Sequence, residues 1–151
     1  MAAIVVCHGA WGGGWAWRRM RAPLRAKGHE LFTPSYTGLG ERFRFTSPSV
    51  GLATHIEDVA ALLFCEDLSG VVLIGHSYGG MVATGVADRE AGRIAQIIYL
   101  DAFVPQDGQS VADFHSPDEW EPVREVANVH GAGWLMPPSP LAADLPPGDA
   151  A

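Results

Sequence analysis

The feature that most constrains this chain is Val71-Val72-Leu73-Ile74, an apolar run that leads directly into Gly75-His76-Ser77-Tyr78-Gly79-Gly80. A run of β-branched residues and leucine without polar alternation predicts a strand buried on both faces of a parallel sheet. The residues that follow satisfy G-x-S-x-G, and a helical stretch from Met81 to about Glu90 leaves them, so strand, corner and helix occur in the order a nucleophile elbow requires. At such a corner the serine backbone is strained and its hydroxyl projects from the chain, and glycines at 75 and 79 remove the side chains that would collide there. A tight turn of small residues would share this spacing; the strand before it and the helix after it favour the elbow.

The rest of the chain supports the same architecture. Ile4–Cys7 is a short apolar run that stops at His8-Gly9 and enters Gly12-Gly13-Gly14, a buried strand opening a glycine-rich loop. Trp17, Met20 and Leu24 recur at helical spacing up to Gly28, and their apolar side suits packing on a sheet. Glu30–Thr33 reads as a second strand, and a long loop from Ser35 to Ala53 follows. Thr54-His55-Ile56-Glu57 has the form of a capping box, with Ile56, Val59, Ala60 and Leu63 on one face of a helix over 54–66. Ile94–Leu100 predicts another strand. Strands alternating with helices imply an α/β fold with a mostly parallel sheet of about four strands.

After Asp101 the pattern weakens. Trp120–Val129 predicts one short helix, and the last fifteen residues hold five prolines. We therefore divide the chain into a core over 1–110 and a loop-rich region over 111–151.

Charge and cysteine content narrow the partners. The 151 residues carry ten Lys and Arg against 17 Asp and Glu, a net charge of −7, which is the wrong sign for a domain that neutralises phosphates. Nucleic acid is excluded as an expected partner. Seven of the basic residues fall in the first fifty positions, five of them at Arg18, Arg19, Arg21, Arg25 and Lys27, and we read these as a solvated helix face. No apolar run approaches the roughly 18 residues of a membrane span, and the first ten residues lack a basic start followed by a long apolar stretch. The expected location is the cytoplasm, without membrane attachment. Cys7 and Cys65 form neither a disulfide framework nor a metal-ligand spacing, and both are expected to be buried thiols.

A nucleophilic serine that attacks a carbonyl needs donors for the oxyanion that develops. The helix leaving the elbow presents unpaired N–H groups, which assigns one donor to the Tyr78 amide. The second must come from another strand end, and Ala10, just beyond the first strand, is assigned that role.

At these residues the chain resembles the α/β-hydrolase family. Val5-Val6-Cys7-His8-Gly9-Ala10-Trp11 with Gly14-Trp15, Thr37-Gly38-Leu39-Gly40-Glu41-Arg42, Gly75–Met81 and Tyr99-Leu100-Asp101-Ala102-Phe103-Val104-Pro105 are similar to the branch of plant methylesterases, hydroxynitrile lyases and bacterial esterase relatives. The likeness runs from about Ile4 to Pro138, with four blocks in the family's order. It implies a serine esterase acting on small-molecule esters without a cofactor: Ser77 attacks, Ala10 and Tyr78 amides hold the oxyanion, and an acyl-enzyme is hydrolysed. Gly9 and His76 match the esterase form of the branch rather than the lyase form. His76 is read as structural, and Trp11, Phe103 and Trp134 as lining an apolar substrate pocket.

The resemblance also implies an acid and a histidine on two later strands. Neither strand is readable in the 74 residues that follow Ser77. Asp101 stands at a strand end where an acid can sit, or where it anchors the turn to Pro105. His115 and His130, the histidines beyond Ser77, lie in sequence read as loop, with no strand end to hold them. The resemblance thus implies an incomplete α/β-hydrolase fold in which residues 111–151 begin a cap region; the competing readings are an inactive chain, a non-catalytic small-molecule-binding fragment or degenerate paralogue, and a hydroxynitrile-lyase-type carbon–carbon lyase of the same branch. Ile94–Leu100 holds no charge and no proline, and in the family's sheet it is an interior strand, so an exposed edge and self-association through it are expected.

Overall fold

The computed structural model describes residues 1–136; the proline-rich stretch from 137 onward lies outside the described residues. Two compact units divide the chain, Met1–Phe114 and His115 onward.

The first unit is a parallel sheet with helices. Strand β1 (Ala3–Cys7) leads through a glycine-rich loop to α1 (Arg18–Ala26), then β2 (Glu30–Phe32), α2 (Leu52–Cys65), β3 (Val71–Ser77), α3 (Gly79–Arg89) and β4 (Ile94–Ala102). The sheet order is β2-β1-β3-β4 with every pairing parallel. The chain builds outward from β1 to β2 and then returns to the other side of β1 for β3. That reversal opens a crevice beyond the C-terminal ends of β1 and β3, where ligands bind in sheets of this kind. His8-Gly9-Ala10 and Ser77 both stand at those ends.

The core lies where β1 and β3 meet α2 and α3. Val5, Cys7, Val59, Leu63, Val71, Leu73, Val82, Ala83 and Val86 pack together out of water, with Tyr36. Removing such side chains from solvent is the main force holding the elements together. Complete burial also pushes the Cys7 thiol up to about 12, which leaves it an unreactive core residue.

The first unit departs from the sequence expectation at β3, α1, the start of α2 and Cys65. The face of β3 carrying Val71 and Leu73 is buried, while Val72 and Ile74 are half-buried; α2 and α3 cover the first face, whereas α1 buries none of its own residues. Met20 is accordingly exposed and Leu24 half-buried rather than packed in a core. The helix start expected at Thr54 lies earlier, at Gly51: Thr54 is the third helical residue, and its hydroxyl accepts from the Gly51 N–H at 3.4 Å. Cys65 is exposed, because two residues beyond Leu63 a helix has turned about 200°, away from the buried stripe.

Strand β4 pairs only with β3 among the described residues. Its outward side chains Ile98 and Leu100 are 40% and 48% exposed. The edge expected from the sequence is present.

The second unit holds α4 (Pro117–His130). Its start follows capping rules: Ser116 accepts from the Glu119 N–H, Glu119 accepts from the Ser116 N–H at 2.8 Å, and Pro117 takes the first helical position. The helix therefore begins before the expected Trp120, and His130 is its last residue rather than part of a loop. The His115 ring stacks on Trp120 with centroids 5.6 Å apart.

Candidate active site

Ser77 ends β3 with φ of 52°, the left-handed backbone region that residues with a Cβ rarely occupy. Tyr78, at φ −52° and ψ −31°, already has helical geometry and caps α3. The two glycines of the elbow have different reasons. A Cβ at Gly75 would lie 2.9 Å from Gly79 O and Gly80 Cα, a collision within the corner itself, whereas one at Gly79 would overlap the Cys7 carbonyl of β1. The elbow is thus seated against the neighbouring strand.

The end of β1 is equally close. A Cβ at Gly9 would lie 3.2 Å from Ser77 Cβ and 3.2 Å from His76 Nδ1, so the residue preceding Ala10 backs onto the serine. Ala10 is half-buried. Trp11, with φ of 57° and 49% of its surface exposed, turns the chain into the glycine loop. The His76 and Trp17 rings meet edge to face, with centroids 5.9 Å apart.

Strand β4 supplies the other wall. Between the pairs His76↔Leu100 and Ser77↔Ala102 the register slips, leaving Asp101 as an extra residue with φ of 44°. Such a bulge re-aims a side chain beside a site. The Phe103 N–H donates to Ser77 O at 3.1 Å, which ties the bulge to the elbow. A pocket of about 270 Å³ opens there, lined among the described residues by Ser77, Asp101, Ala102 and Phe103. Of the three expected pocket aromatics, Phe103 lines it, Trp11 stands in the loop after β1, and Trp134 belongs to the second unit. Among the described residues no side chain hydrogen-bonds the Ser77 hydroxyl.

Sequence reasoning missed the polar stack beneath this site. The His8, Tyr36 and His55 rings lie one on the next, at 4.0 Å and 4.9 Å with interplanar angles of 21° and 20°, and Tyr78 meets Tyr36 and His55 edge-on. All but Tyr78 are buried. Burial lowers the pKa of both imidazoles and raises those of both phenols. The available signal was the spacing of His55, Val59, Ala60 and Leu63, which puts the histidine on the buried stripe of α2.

Residues 4–151 match the alpha/beta hydrolase family. The chain belongs to that family. It is 52% identical over 111 residues to a carbendazim hydrolyzing esterase from Nocardioides sp., covering 74% of this chain and 46% of that protein. Similarity to salicylic acid-binding protein 2 of Nicotiana tabacum is 31% over 105 residues, 68% of this chain and 40% of the relative. A solved extracellular alpha/beta-hydrolase from a Paenibacillus species, described as sharing structural and functional homology with the tobacco protein, matches with a TM-score of 0.80 at 31% identity, covering 87% of this chain and 53% of that one. The chain spans about half the length of the relatives it matches and corresponds to their N-terminal part. Among the described residues no helix is long and apolar enough to cross a membrane.

Proposed function

We propose that this chain carries the nucleophile and oxyanion half of a serine-dependent carboxylic-ester hydrolase. The observation that carries the reading is Ser77 itself: a non-glycine residue at φ 52°, on a strand-to-helix corner, lining a pocket. Strain of that kind persists only where the surroundings over-determine it, and such residues cluster at reactive positions. In the reaction Ser77 Oγ bonds to the ester carbonyl carbon, the Ala10 and Tyr78 amides receive the negative oxygen, and collapse breaks the bond to the alcohol, which leaves with the serine proton. Water then cleaves the acyl-enzyme. Asp101, re-aimed by the bulge, is the candidate acid on the β4 side.

The proton acceptor sets the rate. An unassisted serine is a weak nucleophile, and no described side chain hydrogen-bonds the Ser77 hydroxyl. The second reading, a pocket that binds small molecules without turning them over, draws on that same observation. A fluorophosphonate separates the two, since its covalent capture needs both an activated serine and a formed oxyanion hole. We expect slow labelling of the 151-residue chain that Ser77→Ala abolishes. Labelling undiminished by Ser77→Ala would overturn the assignment, and complete absence of labelling alongside saturable binding of a small ester would favour the binder. Carbendazim, named for the 52% identical relative, and p-nitrophenyl acetate are the esters to compare.

A further inference from the structure

The segment Ser35–Arg42 meets the glycine loop that follows Ala10 and, through His55, the side chain of Tyr78. At one end the Gly14 N–H donates to Ser35 Oγ at 2.7 Å, and the same hydroxyl donates to Glu41 Oε2 at 2.8 Å. Gly40, at φ 54°, packs so closely on the loop after β1 that a Cβ there would lie 3.1 Å from Gly13 Cα. At the other end the Thr37 N–H and hydroxyl donate to the Asp58 carboxylate at 2.6 and 2.9 Å, and Arg42 Nη1 donates to that carboxylate at 3.2 Å and to Ser35 O at 3.1 Å. Fixed in this way, the Thr37 carbonyl lies 3.1 Å from His55 Nε2.

That contact determines the tautomer. A carbonyl only accepts, so His55 Nε2 carries the proton, and in a neutral imidazole Nδ1 is then an acceptor. The Tyr78 hydroxyl, 2.8 Å from Nδ1, is therefore the donor. Burial, the largest influence on His55, lowers its pKa and keeps the ring neutral. The phenol is held at its tip by this bond and along its ring by the edge contacts to Tyr36 and His55.

We propose that His55 is a positioning residue for the Tyr78 backbone N–H: the relay Asp58, Thr37, His55 anchors the Tyr78 side chain and thereby fixes the direction of the amide next to Ser77, while Ser35 holds the loop that carries Ala10. The inference rests on the oxyanion assignment of the preceding section. A donor held in place before reaction costs no reorganisation when charge develops, and a small misplacement of such a group costs rate steeply.

The test is nuclear magnetic resonance on the full chain labelled with nitrogen-15. We expect His55 to show the Nε2–H tautomer and the Tyr78 N–H an order parameter of about 0.85, the value of rigid backbone. Tyr78→Phe, which removes only the hydroxyl, should lower it below about 0.6 without loosening Val5 or Leu73. His55→Leu should do the same, and His55→Asn, which retains an acceptor close to the Nδ1 position, should restore most of the rigidity. Ser35→Ala should loosen Gly12–Gly14 and leave Tyr78 ordered. A proton on Nδ1, or a Tyr78 amide equally rigid in Tyr78→Phe, would overturn the proposal. Should His55→Leu fail to fold, Tyr78→Phe and His55→Asn still decide it. None of these readouts requires Ser77 to react, so the hydrolase reading and the positioning role can fail separately.

Discussion

The two walls of the candidate site are built by opposite means. On the β1 side, the loop after the strand, the Ser35–Arg42 segment and α2 are joined by buried and half-buried hydrogen bonds and stacked rings, with Tyr36, His8 and His55 all buried. On the β4 side the strand has one neighbour, carries exposed apolar side chains, and meets the elbow through a bulge whose extra residue, Asp101, has a positive φ. The first wall has its buried polar groups paired with one another. The second has a free ladder edge among the described residues, and β4 is held by its pairing with β3 and by α3, where the Thr84 and Tyr99 hydroxyls lie 2.8 Å apart. The amides proposed as oxyanion donors flank the first wall and the elbow, and the proposed acid Asp101 stands on the second.

The strongest way to break this contrast is to separate β1 from the elbow. Gly79→Val would push a side chain into the Cys7 carbonyl, and overpacking of that kind costs about 3 kcal/mol, a large part of a typical domain's stability. We expect loss of the cooperative thermal transition. A Tm within a few degrees of the parent would mean that the two strands are not seated as described.

A smaller effect is expected at the other wall. The chain should self-associate or bind a hydrophobic dye through β4, and Ile98→Lys with Leu100→Lys should shift it toward monomer, because charge on an edge strand opposes pairing with a second chain. Light scattering and dye fluorescence report the change. If the parent is a monodisperse monomer that binds no dye, the β4 edge is covered and the contrast between the walls disappears.

The subtlest prediction concerns pH. Burial depresses His8 and His55 below their ordinary 6.5. In the unfolded chain they take up protons as pH falls past that value, while in the folded chain they stay neutral until the pH reaches their lower folded values. Stability is therefore fully present above about pH 6.5 and is lost progressively below it. Tm should fall between about pH 7.5 and 5.5, and His55→Asn should reduce that slope. A flat profile would show that the stack tolerates charge and that the β1 wall is less closed than its geometry implies.

Much of this was legible from the chain alone. The apolar run before Gly75-His76-Ser77 identified β3 and the elbow because a strand, a strained corner and a helix each leave local marks, and β1, α3 and β4 were readable for the same reason. The boundary at Thr54 was misplaced because the Thr54 hydroxyl bonds back to Gly51 instead of forward, a choice between two local patterns that sequence does not rank. Cys65 looked apolar enough to bury, but helix phase turned it outward. His55 went unnoticed because its value lies in partners 23 and 18 residues away, Tyr78 and Thr37.

What the sequence determined by itself is the order of elements and the place of Ser77 at a strand-to-helix corner, since both follow from neighbours along the chain and from side-chain size at a turn. Tertiary structure alone decided that Gly79 answers to β1, that Asp101 is the extra residue of a bulge, and that a histidine of α2 holds the residue after the serine. Each of those depends on a contact between segments whose separation in sequence carries no periodic signal, so only the assembled sheet and its helices could bring it about.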